Sequence, residues 1–175
     1  MKGKKNAANE VFGKNGITAS IPDKFFLVAG HSEGSTKLNV FDKSLVDAEI
    51  GNTNIMKMSS ILPPAYEKIR PLKLPLGSLV PMAYASKVST QTDEIISAAV
   101  VCAVLVNPRQ NGLINGLIME YSAAGHKEEI EKIVRGMAEE GMRFRKYKIK
   151  EIHSIAIQHK VVNVGAVYAA VVLWW

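Results

Sequence analysis

The stretch that decides the fold is IISAAVVCAVLV, residues 95–106. Apolar residues occupy both the odd and the even positions, so a strand formed here presents apolar side chains on both of its faces. The run is well short of the ~20 residues that a membrane-spanning helix needs. The stretch therefore predicts a fully buried strand inside a folded domain.

A second apolar run, VGAVYAAVVLWW at 164–175, predicts another strand that is apolar on both faces. Further strands are predicted at 25–30, 53–59, 79–89, 116–121 and 152–162, and helices at 43–50 and 126–145. Loops or irregular segments are predicted at 31–37, 61–77 and 107–115, where glycine or proline interrupts the pattern. Many strands, two helices and mostly short connections predict an α+β fold with a largely antiparallel sheet.

The chain has 175 residues, which fits one domain. We place this domain at 18–175, after a tail at 1–17 that is rich in Lys, Asn, Gly and Ala and is predicted to be mobile. Cys102 is the only cysteine, so no disulfide can form within the chain and a reducing, cytoplasmic location is expected. The sequence has no signal-peptide pattern, and no membrane partner is expected.

Basic and aromatic residues alternate in RFRKYKIK at 143–150, and the formal net charge of the chain is +6. Such a stretch can bind nucleic acid. It can also complement the C-terminal end of the preceding helix and then line a solvated strand face. We favour the second interpretation, and on it we expect no nucleic-acid partner.

A serine pair, Ser59-Ser60, stands in the stretch NIMKMSSILPP at 54–64. The hydroxyl of the second serine can attack the carbonyl carbon of the first, which turns the peptide bond into an ester. Elimination and hydrolysis then leave a pyruvoyl group, an electrophile that no ordinary side chain supplies. The alternative is a plain junction between a strand and a loop, ahead of the two prolines.

Several further motifs accompany this pair in one order. They are VAGHSEG at 28–34, LNVFD at 38–42, IGNTN at 50–54, SSILPP at 59–64, LVP at 79–81, ISAA at 96–99, GLIMEY at 116–121 and AAVVLW at 169–174. From about residue 21 to the C-terminus, the sequence resembles the pyruvoyl-dependent arginine decarboxylases.

The resemblance implies an α+β, four-layer αββα sandwich with mainly antiparallel sheets. It implies self-cleavage between Ser59 and Ser60 into two chains, which assemble as a homotrimer with active sites between subunits. It also implies conversion of L-arginine to agmatine and CO2, a step toward polyamines. The reaction would pass through a Schiff base on a pyruvoyl group derived from Ser60.

The resemblance assigns roles to single residues of the reaction centre. Ser60 becomes the pyruvoyl group, and Asn54 matches the asparagine that assists the attack on Ser59, although an asparagine here is also typical of a turn. Glu120 matches the acid that protonates the substrate carbon after CO2 has left. This role needs a buried carboxyl group, and the apolar residues at 117–119 predict burial.

Asp42 matches the carboxylate that binds the guanidinium group of the substrate. A carboxylate and a guanidinium group form two parallel hydrogen bonds, which a lysine ammonium group cannot do. The alternative role of Asp42 is an N-cap for the helix at 43–50, and one carboxylate can serve both. Leu38, Gly51 and Thr53 would line the same pocket.

Lys37, Glu49 and Thr53 depart from the family pattern near that pocket, which leaves the choice of substrate open. One alternative is a pyruvoyl-dependent decarboxylase of another amino acid, such as histidine. Two others are a hydrolase with a free N-terminal serine at position 60 and a non-catalytic basic trimer that binds nucleic acid through 143–150. The histidines and the cysteine lack zinc-ligand spacing, so no metal site is predicted.

Overall fold

The computed structural model describes residues 21–64, 66–105 and 115–175. Its elements, in chain order, are β1 (Lys24–Gly34), α1 (Lys37–Asp47), β2 (Asn54–Lys57), β3 (Ile61–Leu62), β4 (Glu67–Lys68), β5 (Leu79–Ser89), β6 (Ile95–Leu105), β7 (Gly116–Ala124), α2 (Lys127–Phe144), β8 (Ile149–Lys160) and β9 (Val164–Trp174).

The strands form two sheets. The five-stranded sheet has the order β2-β5-β9-β1-β4, and the four-stranded sheet has the order β3-β7-β6-β8. Neighbouring strands run antiparallel except for the short outer pairs β1–β4 and β2–β5, which are parallel. Two helices and two mainly antiparallel sheets among the described residues confirm the predicted α+β class.

Strand β6 is buried on both faces, as its sequence predicts. One set of its side chains joins a cluster between the two sheets, and these are Ile96, Ala98, Val100 and Cys102. The alternate set packs against α2, and these are Ala99, Val101, Ala103 and Leu105. Because side chains alternate along a strand, a sequence that is apolar on both faces is needed to fill both layers. The polar exception in β6 is Ser97, whose buried hydroxyl donates to the carbonyl oxygen of Gly125.

Strand β9 is the counterpart of β6 in the five-stranded sheet. Its side chains at 167, 169, 171 and 173 join the cluster between the sheets, and those at 168, 170 and 172 join a cluster with residues of α1. The predicted burial of 164–175 on both faces is thereby confirmed. The core is thus built around two strands that have no polar face.

Two further predictions are confirmed closely. The strand predicted at 79–89 coincides with β5, and the helix predicted at 126–145 corresponds to α2 with His126 and Arg145 as its caps. The strands predicted at 116–121 and 152–162 correspond to β7 and β8, although β8 begins earlier, at Ile149.

The loop predicted at 31–37 is wrong for its first four residues, because β1 continues to Gly34. The strand pairs with β9 along its whole length, from Lys24 opposite Trp174 to Gly34 opposite Val164. Gly30 therefore does not end the strand. It marks a close approach of backbones, since a Cβ atom there would lie 2.2 Å from the carbonyl oxygen of Ser44 in α1.

The helix predicted at 43–50, with Asp42 as its N-cap, is also wrong in its bounds. The helix α1 begins at Lys37, and its N-cap is Thr36, whose hydroxyl accepts from the backbone N–H of Asn39. It ends at Asp47, with Ala48 as its C-cap, before the predicted end at residue 50. Glu49 takes the left-handed backbone conformation beyond the helix, with φ of 61°. Asp42 lies within the helix and is free of any capping role.

The segment at 61–77 is mostly irregular, as predicted, but it contains two short strands, β3 and β4. The strand predicted at 53–59 is shorter, since β2 covers only Asn54–Lys57. The predicted tail at 1–17 lies outside the described residues. So does the predicted turn at 107–115, apart from Asn115.

The contact between β1 and α1 gives a direct test of packing. Gly30→Ala should destabilise the fold by about 2–3 kcal/mol, because the new methyl group would meet helix backbone on two sides. The matched control is Gly136→Ala on the exposed face of α2, where a Cβ atom meets nothing within 4 Å. This control should stabilise the helix by about 1 kcal/mol. Thermal melting of both variants measures the effects, and a Gly30→Ala protein as stable as the wild type would contradict this packing.

Candidate active site

The Ser59-Ser60 bond lies where the chain crosses from one sheet to the other. The chain leaves β2 of the five-stranded sheet at Lys57 and enters β3 of the four-stranded sheet at Ile61. Both β2 and β3 are edge strands, so the crossing lies at the rim of the packed sheets. Ser59 is exposed and Ser60 is half-buried.

Two contacts hold Ser60 against β7. Its hydroxyl donates a hydrogen bond to Glu120 Oε2 over 3.0 Å, and its carbonyl oxygen accepts one from the backbone N–H of Ile118 over 2.9 Å. Ile118 packs in the cluster between the sheets, and Glu120 shares that face of β7 because side chains two residues apart do so. Glu120 is half-buried rather than fully buried.

A third contact acts on the carbonyl group of the Ser59-Ser60 bond. The oxygen of Ser59 accepts a hydrogen bond from the backbone N–H of Ile61 over 2.7 Å. The carbonyl group that would be attacked and the hydroxyl that would attack it thus lie in one short segment, and β7 brings a carboxylate to that hydroxyl. The side-chain pattern of the sequence does not predict this contact, because the donor is a backbone group.

Asn54 lies at the start of β2, whereas Ser60 lies beyond the end of that strand. Its side-chain amide donates to the carbonyl oxygen of Gly77 over 2.8 Å, and the residue is exposed. Among the described contacts of a single chain, none joins Asn54 to Ser60. Its role as an assistant to the attack stays a prediction.

The predicted substrate-binding residues Leu38 and Asp42 lie one turn apart on the exposed side of α1. Leu38 is 75% exposed, which is unusual for a large apolar side chain. Because Thr36 caps the helix, the carboxylate of Asp42 is available for another partner, and no ion pair with it is found among the described residues.

Gly51 and Thr53 lie in the turn that follows α1. A Cβ atom at Gly51 would lie 2.6 Å from a methyl group of Val46, so only glycine lets the turn pack on the helix. The hydroxyl of Thr53 donates to the carbonyl oxygen of Ile50 over 2.8 Å. Two of the residues that depart from the family pattern are charged. These residues, Lys37 and Glu49, are both exposed at the ends of α1.

Within one chain the structure brings Ser60 and Glu120 together but not Asp42. The helix α1 packs on β1 and β9 through the cluster that contains Leu45, Ala48 and Tyr168. Ser60 lies at the rim of the other sheet, against β7. The two halves of the predicted site are therefore on separate surfaces of the chain.

Exposed apolar side chains lie along β2 and the crossing that follows it. Met56, Met58 and Ile61 lie in or next to the crossing, whereas Leu76 and Leu79 lie near the start of β2, where Leu79 pairs with Asn54. Leu76 is 78% exposed and Leu79 is 62% exposed. A group of large apolar side chains at the rim of two sheets is typical of a surface that another protein covers.

A second group of titratable residues joins β1 to β8. His159 hydrogen-bonds to Glu33 over 2.7 Å and to His31 over 3.2 Å, beside a surface pocket of about 340 Å³. Burial raises the pKa of Glu33, but the hydrogen bonds from His159 and from the backbone N–H groups of 162–164 outweigh it and lower that pKa to about 2. The group ties the two sheets together at the end away from Ser60.

A larger surface pocket, of about 610 Å³, runs along α2 and is lined by that helix alone. None of the predicted site residues lines it. Burial raises the pKa of the Cys102 thiol, which packs as a small apolar side chain, as predicted.

In the part of the chain that the structure describes, no group of three or more His, Cys, Asp or Glu side chains could hold a metal ion. Over the same residues, no helix has both the length and the apolar character needed to cross a membrane.

The fold and the site define a mixed α+β protein in which a serine hydroxyl meets a carboxylate beside a Ser-Ser bond. The family model for pyruvoyl-dependent arginine decarboxylase (PvlArgDC) matches residues 24–174. The sequence is 45% identical over 155 residues to the pyruvoyl-dependent arginine decarboxylase of Methanocaldococcus jannaschii. The matched region covers 89% of this chain and 92% of that one.

Two more relatives carry the same name. That of Methanococcus aeolicus is 46% identical over 154 residues, covering 88% of this chain and 91% of that one. The relative from Thermococcus sibiricus is 40% identical over 156 residues, and the match covers 87% of this chain and 96% of that one. The chain belongs to the pyruvoyl-dependent arginine decarboxylase family.

Proposed function

We propose that this protein converts L-arginine to agmatine and CO2, with a pyruvoyl group that it makes from Ser60. The observation that carries the proposal is the hydrogen bond between the Ser60 hydroxyl and Glu120 beside the Ser59-Ser60 bond. Membership of the family supports it. The precursor residues fit the group, since hydroxyl, carboxylate and polarised carbonyl adjoin one another.

Three chemical steps lead from the Ser59-Ser60 peptide bond to the pyruvoyl group. Glu120 takes the proton of the Ser60 hydroxyl as Oγ bonds to the carbonyl carbon of Ser59. The C–N bond then breaks, and the nitrogen of Ser60 receives a proton, which leaves an ester. A water molecule takes the α-proton of residue 60 as the Ser59 carboxylate leaves, which gives dehydroalanine. Dehydroalanine tautomerises to an imine, and a second water molecule hydrolyses this imine to the ketone and ammonia. The products are chains of 59 and 175 − 59 = 116 residues.

A pyruvoyl group supplies an electrophilic carbonyl that takes up the substrate amine and accepts the electrons left by CO2. Glu120 serves a second time as the acid that returns a proton to the substrate carbon. Its position fits both tasks, because its contact with the Ser60 hydroxyl oxygen, two bonds from Cα, places it near the Cα atom that becomes the ketone carbon. The same carboxyl group alternates between base and acid.

The substrate guanidinium group binds to Asp42, and Leu38, Gly51 and Thr53 line the pocket around it. The exposure of Leu38 and the unpaired carboxylate of Asp42 support this assignment. Because Asp42 lies on a surface apart from Ser60, the pocket is completed by Asp42 of one subunit and Ser60 of the next. Asn54 enters the shared site in the same way and assists there.

The assembly is a homotrimer of four-layer αββα subunits, as the family resemblance implies. Three apolar clusters support the layering, with one between the sheets and one under each helix. The exposed apolar side chains around Ser60 support a subunit contact there. Cytoplasmic location, with Cys102 reduced, completes the proposal.

The role of Glu120 in the proposed cleavage can be tested by Glu120→Gln. The amide can still accept the Ser60 hydrogen bond but cannot take its proton, so cleavage should slow by roughly 100-fold or more. Gel electrophoresis of freshly refolded protein follows the loss of intact chain with time. The control is Glu139→Gln, an exposed carboxylate on α2. Cleavage of Glu120→Gln at the wild-type rate would exclude Glu120 as the base.

The role of Asp42 in the proposed substrate site can be tested by Asp42→Asn. Loss of a charged partner for guanidinium should raise KM for arginine by roughly 150-fold, equivalent to about 3 kcal/mol. Release of agmatine is measured over a range of arginine concentrations. Asp93→Asn, which changes an exposed carboxylate between β5 and β6, is the matched control.

An unchanged KM for arginine in Asp42→Asn would show that Asp42 does not bind the substrate. Histidine serves as the competing substrate in the same assay. Faster decarboxylation of histidine than of arginine by the wild type would favour the alternative decarboxylase.

A further inference from the structure

We infer that the backbone N–H of Ile61 is a catalytic donor for self-cleavage. It stabilises the negative charge that forms on the Ser59 oxygen when the Ser60 hydroxyl attacks. The inference rests on the proposed function, because it concerns the step that forms the pyruvoyl group. The observation behind it is the 2.7 Å hydrogen bond from this N–H to the Ser59 carbonyl oxygen.

The chemistry requires a donor at this oxygen. Attack turns the planar carbonyl carbon of Ser59 into a tetrahedral centre and places a full negative charge on its oxygen. Backbone N–H groups about 2.7–3.1 Å from such an oxygen lower the activation free energy of acyl transfer. The rate of acyl transfer rises by several powers of ten as a result. The Ile61 N–H is already aligned on that oxygen before the reaction begins, so no reorganisation is needed.

The N–H of Ile61 is available because β3 does not use it for pairing across the sheet. The Ile118 N–H bonds to the Ser60 carbonyl, whereas the Ile61 N–H turns back to Ser59, two residues upstream. This local ring of atoms encloses Ser60. It keeps the donor with the reacting carbonyl in any conformation that preserves the turn.

The side chain of Leu62 anchors the segment, whereas that of Ile61 does not. Leu62 is fully buried in the cluster between the sheets, and Ile61 is 40% exposed. Gly116 lets β3 lie close on β7, since a Cβ atom there would lie 3.1 Å from that of Leu62. The Ile61 side chain can therefore be changed without moving the backbone that carries the donor.

Asn54 was the donor predicted from the family resemblance, and its amide binds Gly77 within the chain. The Ile61 N–H is the group that the described residues direct at the Ser59 oxygen. It can serve the next step too. When the ester eliminates, the Ser59 carboxylate leaves with negative charge on the same oxygen, and the same N–H stabilises it.

The test removes the N–H of Ile61 and compares the result with a control at a distant exposed side chain. Ile61→Pro removes the N–H and should slow cleavage at Ser59-Ser60 by roughly 100- to 1,000-fold. The control is Val162→Ala, which changes an exposed apolar side chain between β8 and β9 and should cleave at the wild-type rate. The full chain is prepared unfolded in urea, and intact mass is followed after dilution. Thermal melting of the refolded proteins compares their folds.

Proline also restricts the residue before it, which here is Ser60. A second variant avoids this effect. In a semisynthetic chain the Ile61 nitrogen is replaced by oxygen, which removes the donor and keeps the side chain. This ester variant should slow cleavage as much as Ile61→Pro does.

Wild-type cleavage rates in the ester variant would overturn the inference, whatever the proline variant does, and would leave the proposed function standing. Cleavage of Val162→Ala as slow as that of Ile61→Pro would also overturn it, because the loss of rate would then not depend on the Ile61 N–H. Failure of the wild-type chain itself to cleave would instead remove the proposed function.

Discussion

The burial of β6 and β9 on both faces is the constraint on which the rest of the structure depends. Each strand contributes one set of side chains to the cluster between the sheets and the other set to the cluster under a helix. Since neither strand can tolerate water on either face, both sheets and both helices must close around them. The distance between the sheets is thereby set, and the chain at 58–60 must span it at the rim.

This crossing accounts for the chemistry at Ser59-Ser60. A chain that passes from one sheet to the other has few backbone partners, so the Ser59 carbonyl turns to its own neighbour, Ile61, and the Ser60 carbonyl turns to β7. The alternation of β7 then brings Glu120 to the Ser60 hydroxyl. Three hydrogen bonds thus hold the Ser59-Ser60 segment, and only the one from Ile118 comes from the backbone of a neighbouring strand.

The sequence predicts those parts of the fold whose signals are local. Strand β5 and helix α2 follow directly from periodicity, and β6 and β9 from continuous apolar runs. The sequence does not predict the start of α1, because Asn39 and Asp42 are weak helix formers and the tertiary packing of Val40 and Leu45 decides the helix. It does not predict the extension of β1, because pairing with β9 outweighs the turn signals of Gly30 and Gly34.

The contact between Ser60 and Glu120 joins residues 60 positions apart, and no periodicity predicts it. The family resemblance pointed to both residues but not to their distance. The Ile61 donor has no side-chain signature at all, since every residue except proline carries a backbone N–H. The separation of Asp42 from Ser60 likewise follows only from the packing of α1 on β1 and β9.

The most direct measurement is the mass of the purified wild-type protein under denaturing conditions. The account predicts two chains, of 59 and 175 − 59 = 116 residues, the larger lighter by one ammonia than a chain that begins with serine. A single intact chain that still releases CO2 from arginine would contradict it, and so would a larger chain that begins with an unmodified serine.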